Sequence, residues 1–288
     1  MQHPKNQHYV PRLYLRQFCA DRRAKHPQVY SFDKANQRVH RPSIRNVAAE
    51  LHFYEQGEQG AEKAFQRIED LFTTPYRRLL EIDRVQDLSA EDIVGTVIFV
   101  AAQWVRSREH RQMLKSTGVE LAKALDAMGV DEPALTDVTD ETLRRLHVRG
   151  LPNLINHASA IMLRMKWVLC VNRTEMPLWT SDSPVTLHNS RPASDLVGNR
   201  GLTCRGIELY FPLSPTRSLC LCDPTDLGPE PQVIVSTDIN HAWFQNDLQI
   251  RSSTRFLYAN NGDCSFARKV LSTYPVYADP ERQRSKVT

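Results

Sequence analysis

His8, Glu50, Glu69 and Asp182 are the residues of this chain whose types fit acid–base or metal chemistry. A histidine exchanges protons or ligates a metal near neutral pH. Carboxylates joined to one histidine suit a hard divalent cation such as Mg, which activates water and shields a phosphate. Gln7 precedes His8, Ser181 precedes Asp182, and Gln103 and Arg106 share a helix face, so these four read as substrate-holding groups. Arg106 in particular can grip an anion through two parallel hydrogen bonds. This set describes a metal-dependent phosphodiesterase or nuclease, of intracellular toxin or phage-defence type. The alternative is a non-catalytic module that binds a nucleotide, a nucleic acid or a protein through the same cleft. A third reading is a buried polar network with only a structural role. Metal dependence separates the first from the other two.

Complete signatures are missing. No Walker A loop, Gly-x-Gly-x-x-Gly run, nucleophile elbow or His-Glu-x-x-His helix occurs. Eleven glycines leave little material for a phosphate-cradling loop. Arg106 and His110 have three residues between them, too short for the Arg-His spacing of helical ribonuclease domains.

The elements that must position these residues follow from periodicity. Tyr9, Leu13, Tyr14, Leu15 and Phe18 crowd the start of the chain and predict a docked terminus that carries His8 inward. Residues 28–41 alternate like a hairpin around the turn Asp33-Lys34-Ala35-Asn36. From Gly60 to Asp83 the period becomes helical, with Phe65, Ile68, Phe72 and Leu79 on one face and Pro75 expected to kink or restart the helix. Glu62 and Glu69 are seven apart, hence within about 20° on the wheel, at the edge of that face.

Ser89 reads as the cap of a longer helix, apolar almost all round from Val97 to Val105, on which Phe99, Gln103, Arg106 and His110 form a second face. Residues 117–150 read as peripheral helix, with a loop at 131–133 and Thr139 as a cap; 153–165 continue helical. After Trp167 the pattern turns to strands at 168–171, 178–187, 207–211, 219–222 and 233–235, and Thr237-Asp238 opens a final helix through about Phe256. The order implies an α+β fold, a helical layer packed on an antiparallel or mixed sheet formed by the N-terminal hairpin and the C-terminal strands. The expected organisation is a single domain, with 1–59 as N-terminal segment and hairpin, 60–166 as helical part, and 167–288 as sheet and final helix.

Gln7-His8-Tyr9-Val10-Pro11 with Tyr14-Leu15, then Asn46-Val47-Ala48-Ala49-Glu50 with Phe53-Tyr54, Gln103-x-x-Arg106, Thr180-Ser181-Asp182-Ser183-Pro184 and Pro212-Leu213-Ser214-Pro215 occur in that order. In these blocks the chain resembles the bacterial proteins grouped as domain-of-unknown-function family 4238. The resemblance implies approximate site positions and no settled activity.

Composition bounds the rest. Hydrophobic content of 41% and charged content of 24% are ordinary for a soluble globular protein. No apolar run reaches spanning length and no signal-peptide core opens the chain, so a cytoplasmic protein without a membrane partner is expected. Six scattered cysteines lack any Cys-x-x-Cys pair, which argues against a zinc knuckle; Cys220 and Cys222 fall on one strand face as buried thiols. Residues 1–50 hold ten Lys and Arg against three Asp and Glu, while the whole chain carries only +4. Such a basic N-terminal segment suits a phosphate-bearing partner, nucleic acid or nucleotide. Protein partners and homo-oligomers are left open.

Overall fold

The computed structural model describes residues 6–51, 59–129, 139–191, 199–225 and 233–284. Its aromatic opening is docked. Strand β1 (Asn6–His8) pairs antiparallel with β4 (Ala49–Leu51), setting Gln7 opposite Glu50. Helix α1 (Arg12–Leu15) and a 3₁₀ turn (Arg16–Phe18) follow, with Tyr9, Val10, Tyr14, Leu15 and Phe18 buried and Leu13 half-buried against the core. Tyr14 stacks on Phe211 at 5.0 Å, and its hydroxyl donates to the Pro212 carbonyl and meets Thr180 Oγ1, each at 2.7 Å. Each aromatic so buried contributes roughly 1.5–3 kcal/mol.

The hairpin forms as β2 (Tyr30–Asp33) and β3 (Arg38–His40). Asp33 makes its turn by accepting from Ala35 N–H at 3.1 Å and Asn36 Nδ2 at 2.9 Å, and Gln37 closes it at φ 57°. An isolated hairpin is marginal. This one pairs through β2 with β11 (Phe256–Ala259), which pairs in turn with β6 (Thr180–Ser181), giving an antiparallel sheet in the order β3-β2-β11-β6. The other C-terminal strands make a mixed sheet, β10-β5-β9-β8-β7, from β5 (Lys166–Asn172), β7 (Thr186–Asn189), β8 (Ile207–Ser214), β9 (Arg217–Cys222) and β10 (Val233–Ser236). Only β5 and β10 run parallel in it. The fold is therefore α+β, and the N-terminal hairpin joins C-terminal strands. Those strands divide between two sheets because the turn after β6 leads the chain from one to the other.

The helical layer holds α2 (Gln59–Glu81), α3 (Ala90–Val105), α4 (Arg108–Ala127) and α5 (Asp140–Met162). α2 runs through Pro75 without restarting there. The proline removes the helical donor for the Leu71 carbonyl. Gly95 of α3 lies against that same oxygen, where a Cβ would sit 3.1 Å from it and 3.3 Å from Pro75 Cγ. The missing side chain lets α3 close on the proline turn, and packing holds the helix together. Phe72 and Phe99 stack at 3.8 Å across the same contact. Ser89 caps α3 in a full capping box with Asp92, and Thr139 caps α5. The expected loop at 131–133 lies outside the described residues.

Two helix ends differ from the periodic reading. The face expected to run from Phe99 to His110 is broken, because α3 stops at Val105 and Ser107 caps a new helix by accepting from His110 N–H at 3.1 Å. The helix opened by Asp238, α6 (Ile239–Ser252), stops four residues short of Phe256, which lies in β11, and α7 (Ser265–Thr273) follows. Cys220 and Cys222 are buried on one face of β9, with sulfurs 3.3 Å apart. One continuous core draws on residues from Tyr9 to Tyr258, and a smaller one lies between β11, α6 and α7. Among the described residues no helix is long and apolar enough to cross a membrane.

Candidate functional site

Six of the polar residues singled out in sequence gather where β1 meets α2 and α3. Arg106, at the C-cap of α3, is only 1% exposed. Its Nη1 and Nη2 each lie 3.4 Å from Glu69 Oε1, and its guanidinium sits over the Phe65 ring at 4.9 Å. Gln103 precedes it by three residues, so the helix puts both on one side. The Gln103 amide oxygen accepts from Arg106 Nε at 3.0 Å and from Nη2. Glu62, two turns before Glu69 on α2, accepts from Gln7 Nε2 at 3.4 Å.

His8 completes this cluster. Its ring approaches the backbone carbonyls of Val47 and Arg45, while its buried Nδ1 has no hydrogen-bond partner among the described residues. Burial, then the charge of Arg12, and also that of Arg106, lower its pKa below the ordinary 6.5, so the ring is neutral at pH 7. Burial raises the Glu69 carboxyl, opposed chiefly by Arg106 and also by Arg12. One neutral base, one carboxyl shifted upward and two guanidinia thus act on one another. Arg12 was missed in sequence, although its position four residues after His8 is a signal. Glu50 meets this site through its backbone pairing with Gln7; its side chain lies outside the described residues.

Asp182 and Ser181 belong to a second group, under β11. Asp182 is 2% exposed. Its Oδ1 accepts from Thr254 N–H at 2.8 Å, and its Oδ2 from Arg255 N–H at 2.8 Å and Phe256 N–H at 2.9 Å. Burial raises its pKa, and these amides and the Lys34 ammonium oppose the rise. Ser181 donates to Gln249 Oε1 at 2.7 Å, and Gln249 Nε2 donates to the Pro184 carbonyl at 2.8 Å. Lys34 is fully buried and donates to the carbonyls of Ile250 and Ser253, both at 2.7 Å; burial lowers its pKa to about 7. Here lies the reason that α6 ends early: Lys34 takes its last carbonyls, and Asp182 takes the amides that follow.

Glu109 extends this group. It accepts from Thr254 Oγ1 at 3.1 Å, Arg282 Nη2 at 2.6 Å and Arg284 Nη2 at 3.1 Å. No local pattern marks Lys34 or Glu109, because their partners are distant in sequence. The two groups are joined by Tyr14, which reaches Thr180, and by Tyr258 of β11, which acts on Asp182 and hydrogen-bonds the Ala48 backbone.

A third buried polar pair, His110 and His147, packs between α4 and α5 with ring centroids 5.9 Å apart. His147 Nε2 donates to the Val105 carbonyl at 2.7 Å, while among the described residues its Nδ1 and both nitrogens of His110 have no hydrogen-bond partner. Burial lowers both to about 4. Elsewhere a cavity of about 400 Å³ opens between the end of α5 and the segment around Leu202 and Ile207, and none of the candidate site residues lines it.

The molecule is thus an α+β protein with a partly open polar cluster at the base of its docked terminus. It belongs to the family described as "Protein of unknown function (DUF4238)", whose model matches residues 6–263. No curated protein and no solved structure matches the chain. The family match ends before α7 and before the two arginines that reach Glu109.

Proposed function

We propose that the His8–Arg106 cluster binds a phosphodiester and hydrolyses it, making the chain a phosphodiesterase or nuclease. The observation that supports this most is a neutral His8 with a spare ring nitrogen beside two guanidinia, Arg12 and Arg106. Arg12 and Arg106 hold the phosphate oxygens. His8 takes a proton from water, the water oxygen attacks phosphorus, and the P–O bond to the departing alcohol breaks. Glu69, its carboxyl raised by burial, delivers the proton to the leaving oxygen. Gln103 keeps the Arg106 plane fixed, and Gln7 holds Glu62. Asp182 and Ser181 are positioning residues in this scheme: they fix β6 and β11, and through Tyr14 and Tyr258 the segment that carries His8.

Among the described residues no group of three or more His, Cys, Asp or Glu side chains is placed to hold a metal. A divalent cation such as Mg would need a further ligand, and metal dependence is one arm of the test. The test is cleavage of a labelled single-stranded oligonucleotide, with Mg and with chelator. The expected result is turnover that His8→Ala lowers by roughly 10²–10⁴-fold. The binding-only alternative draws on the pairing of Arg106 with Glu69 and Gln103. Salt-sensitive binding without turnover under either condition selects it.

A further inference from the structure

Four arginines of the basic N-terminal segment lie on or beside α1 and the 3₁₀ turn that follows it. Arg12 acts on His8. One turn further along the same stretch, Arg16 donates from Nη1 to the Arg22 carbonyl at 2.9 Å, and Arg22 donates from Nη1 to Gln17 Oε1 at 2.8 Å. Arg45, on the 3₁₀ turn Ile44–Asn46 that packs on α1, belongs to the backbone against which His8 rests. All four arginine side chains are exposed. The bonds of Arg16 and Arg22 go to neutral oxygens, and among the described residues no carboxylate pairs with Arg16, Arg22 or Arg45. Asp21, the nearest acid in sequence, accepts from the Arg23 amide at 2.9 Å and makes no ion pair with these three among the described residues.

A row of like charges with no carboxylate in contact costs stability through self-repulsion. It suits a partner whose negative charges repeat along a line. The geometry points to a ridge, Arg12–Arg16–Arg22 with Arg45 alongside, that binds the backbone of a single-stranded nucleic acid and feeds it to the His8–Arg106 cluster. This inference rests on the proposed phosphodiester site and names its substrate class: a polymeric single strand rather than a free nucleotide. The single strand is favoured because Arg106 is 1% exposed. A phosphate must bend inward to reach it, which a duplex backbone resists and a flexible strand allows.

The experiment measures binding of a fluorescent single strand of about 20 nucleotides, its duplex, and anionic phosphatidylglycerol vesicles, across a salt series. The expected result is tight single-strand binding with a salt slope that the triple variant Arg16→Ala/Arg22→Ala/Arg45→Ala reduces by about 2, because three phosphate contacts are lost. Single-strand affinity at low salt should fall roughly tenfold or more. Melting temperature controls for folding and should not drop, since the three side chains are exposed. Unchanged slope and affinity in the folded triple variant overturns the ridge, as does preference for duplex or for vesicles. The two ideas fail separately. If the strand binds through the ridge but is never cleaved, hydrolysis falls and the ridge stands. If a dinucleoside monophosphate is cleaved in a His8-dependent way while the triple variant binds the long strand like wild type, the ridge alone falls.

Discussion

The two polar regions of this molecule bury similar groups and use them in opposite ways. Around Asp182 the capacity is spent: both carboxylate oxygens accept amides, Lys34 spans two carbonyls, and Glu109 holds two arginines. Around His8 it is held in reserve. A ring nitrogen has no partner among the described residues, Arg106 meets Glu69 only at 3.4 Å, and Arg12 is exposed. Saturated buried networks rigidify a fold, whereas spare donors and shifted pKa values mark places where chemistry is done. A buried carboxylate is therefore not evidence of catalysis until its lone pairs have been assigned.

Substitutions should separate the two regions, beginning with the largest loss. Asp182→Ala strands three amides and the Lys34 ammonium, and should cost about 3–5 kcal/mol, or roughly 10 °C in Tm. A Tm within a degree or two of wild type would dissolve the contrast. Acidification tests the unsatisfied histidines next. His110 and His147 titrate near 4 when folded and at the ordinary 6.5 when unfolded, so between those values the unfolded chain binds more protons. Their contribution is intact above pH 6.5 and is lost as pH falls through 6.5 toward 4, by roughly 3 kcal/mol per ring as an upper bound. Denaturant melts across this window should show the decline, and His110→Phe should flatten it.

Arg106→Met leaves Glu69 and Gln103 without their partner and should cost about 2 kcal/mol by denaturant unfolding, besides weakening phosphate binding. The smallest stability effect belongs to His8→Ala, at under about 1 kcal/mol, because the ring is half-exposed and Nδ1 makes no hydrogen bond. Its effect on turnover should be the largest of all. In wild type the acid limb of kcat/KM should lie below pH 6.5, since the lowered pKa of His8 keeps the base form available there. A limb above 6.5 would remove His8 from the role of base.

Local chemistry announced a good part of this protein. Ser89, Thr139 and Asp238 cap the helices they were expected to cap, because a cap needs only its own side chain and the next two or three amides. The aromatic opening docks because so much apolar area so close together has to leave water. Gln103 and Arg106 meet because three residues make almost one helical turn. The blocks that resemble the family marked Gln7, His8, Arg106 and Asp182 as worth locating. What no sequence window contained was the tertiary partner. The fate of Pro75 depended on Gly95, the end of α6 on Lys34 and Asp182 more than seventy residues upstream, and the sorting of Asp182 from His8 on which amides closed around each. Propensity and periodicity sum over neighbours in sequence, and these outcomes were set by hydrogen bonds and packing between segments far apart in the chain.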